Sequence, residues 1–175
     1  MPLTPQQLLD HLAAKSLAVA TVSHPAVFTV AQSSAVTAAI PGGHTKNLFV
    51  KDKKDNYYLI VAEGSARIEM NRIHPLIGAR SRLSFGSAQK LMEYLGVEPG
   101  SVTAFAVIND KGGRVEVIVD EPLLRHDIIN CHPLTNTMTT TISRQNLLEF
   151  LKQAGHEPRI LALSAAREAN HEPVR

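Results

Sequence analysis

Gly42-Gly43-His44-Thr45-Lys46-Asn47-Leu48-Phe49-Val50 carries the chain out of a turn and into an apolar run. Two glycines let the backbone turn tightly and approach a ligand closely. Lys46 brings a point charge with three donors, and Asn47 brings both a donor and an acceptor. Such groups at the mouth of a buried strand can hold an anionic or hydroxyl-rich ligand. The same residues also read as an ordinary loop with one solvated lysine. Directly downstream, residues 48–51 and 57–61 are β-prone and flank Asp52-Lys53-Lys54-Asp55-Asn56. That pattern predicts a hairpin with a solvated, charged tip.

Upstream, Thr4, Pro5 and Gln7 form a helix start, with Leu8, Leu9 and Leu12 on one face. Residues 18–22 read as a strand and residues 29–38 as a helix of small side chains. Downstream, Ala88, Leu91, Met92 and Leu95 recur at helical spacing between a Ser87 cap and Gly96. Met92 reads there as a core filler. Residues 103–108 are almost wholly apolar, which predicts a strand buried on both faces. They are followed by a turn at 109–113 and a returning strand at 115–119. Short extended pieces at 128–134 and 139–142, a Ser143-capped helix and a strand at 159–163 complete the pattern. Hairpins separated by helices make this an α+β domain on one mixed sheet. The domain is expected over residues 1–163, with a polar tail from 164 to 175.

The chain has 175 residues, of which 44% are apolar, and this suits one domain with a sizeable core. A net charge of +2 does not mark a strongly basic nucleic-acid binder, although a local RNA contact is allowed. One cysteine, Cys131, allows neither an internal disulfide nor a cysteine-based zinc cluster. No leader segment or membrane span is expected, and the cysteine usage suits a cytoplasmic location.

Neither a nucleophile elbow nor a phosphate-binding P-loop is present. Histidines are scattered and acidic residues do not cluster, so no metal or other cofactor is expected. Cys131 and His132 would face opposite sides of a strand, which makes them a poor nucleophile–base pair. Cys131 reads as core, and His132 as the better site residue. A site built from loops is left: Lys46, Asn47, the amides around Gly100 and Ser101, and His132. It can bind an anion or an oxyanion but lacks a strong nucleophile. It suits attack of a positioned water on an activated ester.

Several segments together resemble the YbaK-like, prolyl-tRNA synthetase-associated editing domains. They are residues 43–49, 52–54, 83–87, 95–103 and 108–110, and His132-Pro133-Leu134. Their order is similar to that of the stand-alone alanyl-tRNA(Pro) deacylases, and the likeness runs from about His24 to Pro158. It implies a barrel-like mixed sheet flanked by helices. It also implies hydrolysis of the ester between tRNA(Pro) and a wrong amino acid, alanine foremost and cysteine as a rival.

Residue by residue, Lys46 matches the lysine that holds the terminal adenosine's phosphate or ribose, with Thr45 and Asn47 in support. Gly100 and Ser101 match the glycine loop at the substrate carbonyl, and His132 matches the histidine beside the aminoacyl group. Residues 29–38, with Phe28, would wall the amino-acid pocket. The implied nucleophile is water, aided by the free ribose hydroxyl, with no metal. The implied partners are the acceptor 3′ end of mischarged tRNA and prolyl-tRNA synthetase, and the implied state is a monomer. The chain departs from the family in two places: Ala104 stands at the loop's usual proline and Cys131 at the usual phenylalanine. A non-catalytic tRNA-binding module and a protein-interaction scaffold are the other functions this fold can carry.

Overall fold

The computed structural model describes residues 1–17, 19–26 and 30–164. In chain order these form α1 (Pro5–Ala14), β1 (Val19–Ser23), α2 (Val30–Ala39), β2 (Gly43–Lys51), β3 (Tyr57–Glu63), α3 (His74–Ile77), β4 (Ser84–Phe85) and α4 (Ala88–Leu95). A 3-10 segment (Ala104–Asn109), β5 (Val115–Asp120), a second 3-10 turn (Glu121–Arg125), β6 (Ile128–Cys131), β7 (Met138–Ser143), α5 (Arg144–Gln153) and β8 (Arg159–Leu161) follow. The eight strands make one mixed sheet in the order β1-β7-β6-β2-β3-β5-β8, with β4 pairing onto β2.

Helix ends fall where the sequence signals place them. Thr4 and Gln7 close a reciprocal capping box on α1. Ser87 and Ser143 accept from the amides of Lys90 and Asn146 at the starts of α4 and α5. Gly96 ends α4 in the left-handed conformation at φ +65°. The β2–β3 hairpin forms as expected, with Leu48 opposite Ile60 and Val50 opposite Tyr58. β5 lies parallel to β3, and β8 parallel to β5.

The sheet's two faces have separate packing. The larger cluster includes Phe49, Leu59, Phe105, Val107, Leu147 and Phe150. The smaller one sets Val50, Ile60 and Ile118 against Ile73, Ile77 and Leu83. Phe105 and Phe150 meet edge to face with centroids 5.2 Å apart.

Four local expectations are corrected. Residues 104–109 form a buried 3-10 segment and not a strand, so the second hairpin does not exist. A short apolar run fits either element, and Thr103, whose hydroxyl accepts from the Phe105 amide, tips it towards a helical turn. Met92 is 42% exposed, on the outer side of α4. The hairpin tip is not simply solvated: Asp52 is buried, and its carboxylate accepts from the amides of Lys54, Asn56 and Arg80 and from the Asn56 side chain. Ser164, expected to begin the polar tail, is buried, and its amide and hydroxyl donate to the buried Asp120.

Candidate active site

The open end of the β2–β3 hairpin builds the site. Thr45 on β2 stands opposite Glu63 on β3, and β6 runs parallel to the start of β2 with His44 beside Asn130. Thr45 Oγ1 donates to the Asn130 carbonyl at 2.8 Å. The Asn130 side chain is fixed at both ends: Nδ2 donates to the Pro41 carbonyl at 3.0 Å, and Oδ1 accepts from Thr141 Oγ1. His44 Nε2 lies 2.7 Å from the Ile40 carbonyl, which fixes that ring as well. These strand ends and the inner side of α2, through Ser34, Val36, Thr37 and Ala38, enclose a cavity of about 780 Å³.

His132 lines this cavity just past the end of β6. Its Nδ1 is 3.0 Å from the Met138 carbonyl, so Nδ1 carries the hydrogen and Nε2 is the acceptor of the neutral ring. Burial lowers its pKa, more strongly than the Met138 hydrogen bond raises it. At neutral pH the ring is therefore an uncharged base facing the cavity. Cys131 is buried in the core beside it. Burial pushes its thiol up to about 12, against a weak contact from Thr45, which leaves it without nucleophilic character.

Lys46 and Asn47 belong to strand β2 and not to a loop. Strand alternation turns Lys46 to the face opposite Thr45. Its ammonium donates to the Ala66 carbonyl, in the turn where Gly64 and Ser65 line the cavity. The Lys46 group thus stands behind the cavity's rim and is not itself a lining residue. Burial lowers its pKa, partly offset by the Asp120 carboxylate. The pairing register places Asp120 near: Lys46 faces Ala62, and Ala62 and Asp120 come next along the strands after the Val61–Val119 pair. Asn47 Oδ1 is buried and has no hydrogen-bond partner.

Gly100 takes φ +93°, which only glycine adopts readily. Its backbone lies against the turn after His132, since a Cβ there would come within 3.8 Å of Asn136 Nδ2. The Ser101 amide donates to the Glu98 carbonyl at 3.0 Å, so in this conformation it serves the loop and not a ligand. Gly100 and Ser101 adjoin the His132 turn without lining the cavity. Phe28 lies outside the described residues.

The sequence reading missed Glu63, His44 and Asn130. The first needed the longer reach of β3, to residue 63, and the other two the parallel pairing of β6 with β2. Among the described residues no cluster of three or more His, Cys, Asp or Glu is arranged to hold a metal ion. No helix among them is long and apolar enough to cross a membrane.

The family model described as an aminoacyl-tRNA editing domain matches residues 24–150. The chain belongs to this family. It is an aminoacyl-tRNA deacylase, a hydrolase of the ester that joins an amino acid to tRNA, and mischarged tRNA is its class of substrate. The editing domain is 35% identical over 158 residues to prolyl-tRNA synthetase associated domain-containing protein 1 of Bos taurus, covering 88% of this chain and 92% of the relative. It is 31% identical over 136 residues to the prolyl-tRNA editing protein ProX of Acetoanaerobium sticklandii, covering 77% and 82%. The fold matches a solved structure described as a candidate trans-editing enzyme for prolyl-tRNA synthetase. There the TM-score is 0.65 at 21% identity, over 89% of this chain and 92% of that one.

Proposed function

We propose that this editing domain acts in trans on mischarged tRNA(Pro), with alanine as the principal amino acid removed. The observation that carries the reading is the cavity of about 780 Å³ with an uncharged histidine acceptor on its wall. That volume suits a terminal nucleoside with a small acyl group attached. Alanine is smaller than proline, so a proline-activating site cannot exclude it by size. A missing methylene is worth only about 1–3 kcal/mol, and a second site is needed to correct the error.

In this reading Lys46 leaves Ala66 to hold the 3′-terminal phosphate or ribose at the cavity rim, and Asn47, turned to the opposite face of β2, supports the strand that carries it. His132 Nε2 orients a water and takes its proton as the water oxygen attacks the acyl carbon. The bond to the ribose oxygen then breaks, and that oxygen receives the proton. The Gly100–Ser101 loop lies beside the carbonyl once its amides turn towards it. The ribose's free hydroxyl assists. The protein works as a cytoplasmic monomer on the acceptor 3′ end, alongside prolyl-tRNA synthetase.

The decisive experiment is deacylation of a panel of Ala-, Cys- and Pro-tRNA(Pro) by the purified protein. Alanine is released fastest and proline is spared. Faster release of cysteine than alanine would move the amino-acid assignment, and release from none of the three would overturn the reading.

A further inference from the structure

Glu63 is the only Asp, Glu, Lys or Arg among the described residues lining the cavity. It closes β3 directly opposite Thr45, and adjacent cross-strand partners share a face. Its carboxylate is held but not used up. One oxygen lies 3.2 Å from His126 Nε2, and both side chains keep 34% of their surface open. The His126 ring is seated over Gly43, where a Cβ would come within 2.6 Å of it. The absence of a side chain at Gly43 thus lets His126 pack there and hold the Glu63 carboxylate. A carboxylate accepts several hydrogen bonds at once, so capacity is left for a ligand.

An aminoacyl ester brings one cationic group to this cavity, its α-ammonium, next to the carbonyl that is attacked. We propose that Glu63 is the acceptor for that α-ammonium. It makes the site selective for aminoacyl-tRNA with a free α-amino group over N-blocked forms such as peptidyl-tRNA. The inference rests on the deacylase reading above and gives that reading a specificity determinant. Glu63 binds and orients the substrate, and it takes no proton from the attacking water. A blocked amine loses the charge, and its acyl group meets the Glu63 carboxylate on the cavity wall.

The test compares Ala-tRNA(Pro) with N-acetyl-Ala-tRNA(Pro) in the wild-type protein, Glu63→Gln and Glu63→Asp. Glutamine keeps the shape and the His126 hydrogen bond while removing the charge. The wild type should favour the free amine by about tenfold or more in kcat/KM. Glu63→Gln should lose about tenfold to a hundredfold on the free amine and under about threefold on the acetylated substrate, while Glu63→Asp retains part of the preference. Equal losses on both substrates, or no loss, would overturn the inference.

Should the wild type hydrolyse neither substrate, the deacylase reading fails. The inference is then decided by binding of the non-hydrolysable 3′-alanylamino-3′-deoxyadenosine. A preference for it over its N-acetyl form that disappears in Glu63→Gln upholds the role of Glu63. Equal affinity for both forms in the wild type overturns it.

Discussion

The β2–β3 hairpin has two ends that treat polar groups in opposite ways. At the closed end, Asp52 is buried and its oxygens accept four hydrogen bonds from the tip and from Arg80. Lys53 adds a donation from its amide to Ser81 Oγ, so two loops are stapled together. At the open end, Glu63 and His132 keep acceptor capacity facing a cavity. One hairpin thus holds a scaffold at one end and a reactive site at the other. Polar groups satisfied internally stabilise the fold, whereas groups left with capacity are available to a substrate.

The sharpest way to break this contrast is Lys46→Ala. If Lys46 serves the substrate, deacylation falls by some hundredfold or more, about 3 kcal/mol of barrier, with little change in melting temperature. If its bond to Ala66 is its whole purpose, the melting temperature falls and activity per folded molecule persists. Steady-state kinetics beside thermal denaturation separates the two outcomes.

Asp52→Ala should give the mirror image. It strands the amides of Lys54, Asn56 and Arg80, and should cost about 2–3 kcal/mol of stability while kcat/KM of the folded protein is unchanged. Acid tests the same group. Burial works to raise the Asp52 pKa, but the hydrogen bonds from Arg80, Asn56 and Lys54 outweigh it and hold the carboxyl at about 2, below its ordinary 3.8. Its contribution is therefore complete above the ordinary value and is lost as pH falls towards about 2. Denaturant titrations should show that acid-dependent part in the wild type and its absence in Asp52→Asn.

Much of this scaffold was legible in the sequence, because caps and turns are written in short spacings. Thr4, Ser87, Ser143 and Gly96 mark helix ends where the structure has them. The strands at 48–51 and 57–61 were legible through their β-branched and aromatic side chains. Residues 103–108 misled because an apolar run without alternation carries no period from which to tell strand from buried turn. Asp52 misled because a loop of charges looks solvated until Arg80, 28 residues away, donates to one of them. The site was legible only in part. Thr45 and His132 reach the cavity, whereas Lys46 turns behind its rim and the Ser101 amide is engaged within its own loop. Glu63 needed the register of the hairpin, which places it across from Thr45. Registers of this kind are tertiary facts that local spacing does not encode.

The smallest of these effects falls on His132. His132→Ala should lower kcat/KM by about tenfold, roughly 1.4 kcal/mol, because the ring orients a water that other cavity groups still confine. Its charge state gives a second readout. Burial lowers the pKa of the folded ring below the ordinary 6.5, so on acidification the unfolded chain binds a proton before the native protein does. Stability then rises with pH across that interval, and is lost as pH falls from 6.5 through the lower native value. His132→Ala should flatten that segment of the stability curve while leaving the separate loss that Asp52 produces at lower pH. A variant that keeps the full dependence would place the titrating group elsewhere, and would remove the argument that His132 meets its substrate as a neutral base.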